Sequence, residues 1–230
     1  VTEAIRELSR PALLDELVVA LAKAGDPPGA AALLSGWGEP LVEHLIAGML
    51  GEEPKVSRRH IVEYLGMAGR GDVRFLTPWL RDPRWFIVRN VASAIGKAGR
   101  EGGIPALVTV VDHQDDRVRV EVIRALATLE GDDSIPLLVE SLSDPSQRVR
   151  NAAVSLLRAE PSDEVVVRVA EYLATNNAEA DDARRLVKII AERSSEAAQQ
   201  ALTGLAEKRF RVGSGKVVRD TARAALGRRQ

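Results

Sequence analysis

Asp82-Pro83-Arg84-Trp85-Phe86-Ile87-Val88-Arg89-Asn90 reads as a turn running into a helix, and its landmarks return further along the chain. Asp116-Arg117-Val118-Arg119 and Asp144-Pro145-Ser146-Gln147-Arg148-Val149-Arg150 repeat them. Asp-Pro is a turn signal, because proline disfavours helical geometry in the residue before it and suits the first turn of the helix that follows. Working outward, arginine holds one frame position throughout, at Arg59, Arg89, Arg119, Arg150, Arg184 and Arg219, spaced by 30, 30, 31, 34 and 35 residues. Valine precedes it at Val88, Val118, Val149 and Val218. Self-similarity at this period marks one helix-pair unit repeated.

Three units of 31 residues are the clearest, Asp72 to Gly102, Gly103 to Asp133 and Ser134 to Glu164. Leu76, Leu107 and Leu138 share a position on the first helix, and Leu80, Val111 and Leu142 share another. The second helix carries a buried stripe at helical spacing: Val88, Ala92, Ile95; Val118, Val122, Leu126, Leu129; Val149, Ala153, Leu156, Leu157. Gly99-Arg100-Glu101-Gly102 and Glu130-Gly131-Asp132-Asp133 supply the turn geometry that ends a helix. The expected fold is all-α, an α-α superhelix of about six helix pairs, the pairs stacking as an α-solenoid. Residues 1–38, with a helix over Pro11 to Gly25, a shorter one over Pro28 to Trp37 and Asp26-Pro27-Pro28 between them, read as an irregular N-terminal cap. Residues 39–230 read as one continuous array, with longer loops around Asn176 to Asp181 and Phe210 to Lys216.

These motifs resemble the HEAT-like repeat family, in its short bacterial form related to the phycobilin lyase repeats. The resemblance covers the chain from about residue 39 onward and is strongest over 72–164. It implies a solenoid whose second helices line a concave face. Its specificity is for fold, since relatives on such repeats include scaffolds, nucleic-acid binders and a few enzymes.

Composition narrows the chemistry. Apolar residues make up 45% of the chain and aromatics 3%, the signature of closely approaching helices rich in alanine, leucine and valine. The absence of cysteine excludes disulfides, thiolate metal sites and cysteine nucleophiles. No apolar run approaches the roughly 20 residues that span a bilayer, and Val1 to Arg10 lack a signal-peptide profile, so a cytoplasmic protein without a membrane partner is expected. The chain begins with Val1 and opens in a helix-like stretch, compatible with a piece of a longer protein.

Catalysis needs convergent polar groups, and three histidines (His44, His60, His113) with no serine in a nucleophile motif form no such constellation. Deoxyhypusine hydroxylase, an enzyme on related repeats, holds iron through His-Glu pairs, whereas each histidine here is followed by Leu, Ile or Gln. A glycosylase on such repeats would want groove aromatics and basic surface along most of its length, and the tryptophans lie outside the expected groove stripe. Gly213-Ser214-Gly215-Lys216 fails the phosphate-loop pattern, because Phe210 stands where that loop needs glycine and Val217 where it needs Ser or Thr. The expectation is therefore a non-catalytic protein with no cofactor and no metal site.

The arginine column sits on the boundary of the core, about 100° around the helix from the buried valine. There a structural ladder is expected, each stem on apolar surface and each guanidinium paired with a turn aspartate or loop carbonyl. Trp79 and Trp85 are likewise read as packing. The functional candidates lie opposite the stripe, at two, five and nine positions past the valine, about 140° to 200° away. These are Asn90, Ser93, Lys97; Val120, Ile123, Ala127; Asn151, Val154, Arg158; Arg185, Lys188, Glu192; and Asp220, Arg223. His60 falls on the same stripe.

Val120, Ile123 and Val154, with Phe86, would make an exposed apolar patch of the sort that marks a partner site, unless neighbouring helices bury them laterally. Toward the C-terminus the stripe turns basic, and Arg184 to Gln230 holds 12 Lys/Arg against 4 Asp/Glu while the whole chain is −1. The expected function is a protein-interaction scaffold that binds a partner segment in its groove, anchored by Phe86, Asn90, Val120, Ile123, Asn151 and Val154 and oriented by Arg158, Arg185, Lys188 and Arg223. Nucleic-acid or polyanion binding through the basic end is the second reading, although a pI near 6.4 speaks against a dedicated duplex binder. A regulatory or spacer module of a longer protein is the third. Partner identity and oligomeric state are not encoded in any of these patterns.

Overall fold

The computed structural model describes residues 10–25, 27–51, 54–70, 72–129, 134–160, 162–175, 178–210 and 213–228. Every regular element among them is helical. In chain order these are α1 (Pro11–Ala24), α2 (Ala30–Ser35), α3 (Glu39–Leu50), α4 (Arg58–Gly69), α5 (Trp85–Ala98), α6 (Gly103–Val108), α7 (Asp116–Leu129), α8 (Ile135–Glu140), α9 (Gln147–Ala159), α10 (Asp163–Thr175), α11 (Ala180–Ala191), α12 (Glu196–Glu207) and α13 (Gly215–Gly227). Short 3₁₀ turns cover Val73–Phe75, Thr77–Arg81 and Ser141–Ser143. The chain divides into two compact units, Val1–Glu130 and Gly131–Gln230.

The arginine frame falls on α4, α5, α7, α9, α11 and α13, the second helices of the pairs. Within the first unit α4 packs on α5 and α5 on α7; within the second, α9 packs on α11 and α11 on α13. The first helices form their own layer, seen most clearly where α8 meets α10 and α10 meets α12. Close approach in the second-helix layer is set by glycine. A Cβ at Gly96 of α5 would stand 2.8 Å from the Ala125 Cα of α7. The stripe does bury: Val88, Ala92, Ile95, Val118, Val122, Leu126, Val149, Ala153 and Leu157 are essentially inaccessible, while Leu156 is half-buried.

The first helices depart from the expected regularity. The segment holding Leu76 and Leu80 is a pair of 3₁₀ turns, and α6 and α8 span a few residues each. Pro78, Pro105 and Pro136 stand at or near these starts, where proline removes an N–H and breaks a longer run. Leu76, Leu80, Leu107 and Leu138 are nonetheless buried, so the shared positions pack although the helix beneath them is short. Gly99 (φ 128°) and Gly102 (φ 71°) carry the chain out of α5 in conformations that favour glycine. Asp26, Gly71, Glu130-Gly131-Asp132-Asp133, Asn176, Asn177 and Arg211 lie outside the described residues.

A recurring clasp joins turn to helix. Asp82 Oδ1 accepts the Arg84 backbone N–H at 2.9 Å, and its carboxylate takes the Arg84 guanidinium at 2.8 and 2.6 Å. Asp115 and Arg117 repeat it at 2.9, 3.0 and 2.7 Å, and Asp72 and Arg74 do so at the preceding 3₁₀ turn. Asp144 keeps the backbone half, accepting from Ser146 N at 2.7 Å. An aspartate that satisfies the i+2 amide starts the helix, and the arginine fork clamps it there.

A basic and aromatic groove between α4 and α5

The candidate site lies wholly within the first unit. Arg58, Arg59, Val62 and Glu63 of α4 face Trp85, Phe86, Arg89, Asn90, Ser93 and Lys97 of α5 across a cleft of about 600 Å³. On each helix these residues recur at three- and four-residue intervals, so one face of each supplies a wall. The stripe positions Asn90, Ser93 and Lys97 thus line one cleft together with Phe86. Asn90 is held by donating its side-chain amide to Met49 Sδ at 3.1 Å.

The walls are predominantly positive: Arg58, Arg59, Arg89 and Lys97 stand against the single carboxylate of Glu63. Lys97 Nζ is spent on Glu63 Oε1 at 2.9 Å. Arg89 is about half exposed and only loosely held, 3.8 Å from Glu121, which Arg124 shares at 3.7 Å. Arg58 and Arg59 are exposed and have no ion-pair partner among the described residues. They occupy the first turn of α4, where the helix dipole favours carboxylates, so they do not stabilise their own helix.

Trp85, read as packing outside the groove stripe, does pack, its ring edge-on to Phe86 with centroids 6.1 Å apart, and it also lines this cleft. The Arg117 guanidinium covers it, 3.5 Å from the ring centroid. A second, more open hollow against Trp85 is bounded by Asp82, Asp112 and Asp115, of which Asp82 and Asp115 are paired with Arg84 and Arg117. The Arg117 side chain, by donating hydrogen bonds, holds the Asp115 carboxyl down at about 2, and Arg84 lowers Asp82 in the same way.

The apolar anchors are corrected. Val120 is 6%, Ile123 1% and Val154 6% exposed, so none offers surface to a partner. The physical reason is lateral packing. Helix α7 buries Val118, Val120, Val122, Ile123, Ala125, Leu126 and Leu129, which wrap well over half its circumference. Asn151, by contrast, is exposed and accepts from Gln147 Nε2 at 3.1 Å.

In the second unit several of the basic candidates meet carboxylates. Arg158 pairs with Glu192, which Lys188 also approaches at 3.9 Å; Arg185 pairs with Asp182 and Arg184 with Asp181. Arg223 Nε donates to the Ala206 carbonyl at 3.1 Å. Of the basic residues counted from Arg184 onward, Arg184, Arg185, Lys188 and Arg219 thus meet carboxylates, so the positive excess of that stretch is only partly offset. Phe210 lies where any side chain at Gly215 would stand, so packing accounts for that glycine.

The arginine frame does not have one role. Arg150 is mostly buried, donating to the Asp144 and Pro145 carbonyls at 2.9 and 3.2 Å and to Asp182 and Glu179 at 3.1 and 2.7 Å. Arg119 donates to the His113 and Gln114 carbonyls at 2.7 and 3.2 Å. Arg219 is 3.5 Å from Asp220, while Arg59 and Arg89 stand in the groove. The histidines have local partners: His44 with Asp15 at 3.1 Å, His60 with Ser57 at 3.1 Å, and His113 Nδ1 accepting from Asp115 N at 3.0 Å. Among the described residues no three His, Asp or Glu gather as a metal site, and no helix is long and apolar enough to cross a membrane.

The repeat geometry has a match in sequence. The HEAT-repeat family model aligns with residues 73–158 and again with 104–185. Residues 73–185 are HEAT repeats. The helix pairs described above carry this match, and every regular element among the described residues is helical. Similar solved structures include the complex of CpcE and CpcF of phycocyanin lyase from Nostoc sp. PCC7120, at 21% identity and TM-score 0.41, covering 92% of this chain and 94% of that one. An archaeal HEAT-like repeats protein from Thermococcus onnurineus NA1 aligns at 14% identity and TM-score 0.39, over 94% and 98% of the two chains. Human deoxyhypusine hydroxylase aligns at 13% and 0.36, over 98% and 97%. Comparison with curated proteins returns no match.

Glu63 falls on the stripe, five positions past Arg58, but Arg58 and Val62 lie off it, because the rule takes the position before the frame arginine as buried and on α4 that position is an exposed arginine. One signal was present: consecutive arginines opening a helix, against the preference of its dipole.

Proposed function

We propose that the chain is a non-catalytic interaction scaffold that holds a segment of a partner protein in the α4–α5 groove. The observation that carries this reading is the cleft itself, with Phe86 and Trp85 at one end and the cations Arg58, Arg59 and Arg89 along its walls. Aromatic and arginine side chains are the types enriched where partners bind, because each offers large contact area and directional polar contacts. A cleft of about 600 Å³ accepts a few side chains of a helix or extended segment. Asn90 and Ser93 supply neutral polar contacts on its floor.

Displayed random peptides selected against the full chain, then counter-selected against Ser93→Trp, test this. The reading expects peptides that bind the wild type and are rejected by the filled groove. Peptides that bind both equally, or none at all, would defeat it.

A further inference from the structure

We infer that the segment taken by the α4–α5 groove is acidic, with carboxylates flanking an apolar side chain. This rests on the reading of the groove as the partner-binding surface and adds the chemistry of the partner. Three arginines, Arg58, Arg59 and Arg89, face the cleft, and the carboxylate on its wall, Glu63, is already engaged by Lys97 at 2.9 Å. Arg58 and Arg59 have no ion-pair partner among the described residues, and the 3.8 Å contact of Arg89 with Glu121 leaves its fork open. Guanidinium forks match carboxylates in bidentate geometry. Phe86, half-buried beside them, gives an apolar side chain a surface to cover.

The same features disfavour a nucleic acid. One face of Trp85 is covered by Arg117, and the hollow beyond it is bordered by the exposed Asp112, with Asp82 and Asp115 there held by Arg84 and Arg117. A continuous phosphate backbone leaving the cleft on that side would pass the Asp112 carboxylate, whereas a peptide can place its carboxylates only where the arginines are.

The test measures fluorescence anisotropy of three labelled probes with the full chain: a short peptide of glutamate around leucine, its twin with lysine for glutamate, and oligothymidylate of the same length. The glutamate peptide should bind, and Arg58→Glu/Arg59→Glu, two exposed changes checked for folding by circular dichroism, should weaken it roughly tenfold or more. Ser93→Trp should weaken it as well. Loss with Ser93→Trp but none with the arginine pair would overturn the acidic partner while leaving the groove in place. Tighter binding of the lysine twin or of oligothymidylate, or binding of no probe, would also overturn it; in the last case the peptide selection separately decides whether the groove binds anything.

Discussion

Arg117 lies with its guanidinium 3.5 Å from the Trp85 ring centroid while its N–H groups hold the Asp115 carboxylate at 3.0 and 2.7 Å. One side chain thus ties the start of α7 to the aromatic end of the groove on α5. A planar fork lies flat on the ring while donating two hydrogen bonds to one carboxylate, a geometry that an ammonium does not reproduce. Arg117→Lys should therefore destabilise the chain by about 0.5–1 kcal/mol, read from chemical denaturation. An unchanged midpoint would mean that the stacking contributes nothing.

Asp115 gives that clasp a pH dependence. Its folded pKa of about 2 is below the roughly 3.9 of an unfolded aspartate, chiefly because the Arg117 side chain donates to the ionised form. A depressed carboxylate stabilises the fold above the unfolded value and loses that contribution as pH falls through the folded one. The stability gap between wild type and Asp115→Asn should hold steady above about pH 5 and shrink as pH falls from about 4 toward 2. Denaturant midpoints across that range check it, and a gap that widens with acid would reverse the sign.

Glycines that look alike in sequence separate by their surroundings. A methyl at Gly96 would press on Ala125 at 2.8 Å, whereas one at Gly204, in the helical stretch of α12, meets nothing within 4 Å. Gly96→Ala should cost about 1–3 kcal/mol through overpacking, despite the better helix propensity of alanine. Gly204→Ala should add about 0.5–1 kcal/mol. Thermal unfolding of the two single variants should move in opposite directions.

Burial of Ile123 changes what its substitution reports. With 1% of its surface accessible, Ile123→Ala should destabilise by about 2–5 kcal/mol, and Ile123→Asp should prevent stable folding. A well-folded Ile123→Asp variant would restore the exposed apolar patch that the sequence suggested.

The pairing of helices was legible because the core repeats its geometry: Val88, Val118 and Val149 are each fully buried, and each is followed by an arginine that is not. Helix type was not, since Leu76 and Leu80 pack equally well from 3₁₀ turns as from an α-helix. On α5 the stripe positions Asn90, Ser93 and Lys97 line one cleft, joined by Phe86, because that face is open along α4. On α7 it failed, because helical periodicity shows the angle of Val120 and Ile123 but not which neighbours close over them. The local charge excess in the second unit was countable, yet its pairing of Arg158 with Glu192 and Arg185 with Asp182 depends on contacts between helices and within a turn that a running sum does not see.

Hydrogen exchange with and without a saturating selected peptide is the most direct test of where a partner binds. Slowed exchange confined to α4 and α5, centred on Arg58 to Glu63 and Trp85 to Lys97, is the predicted result. Slowing confined to α11 and α13, with α4 and α5 unchanged, would place binding on the second unit and contradict the account.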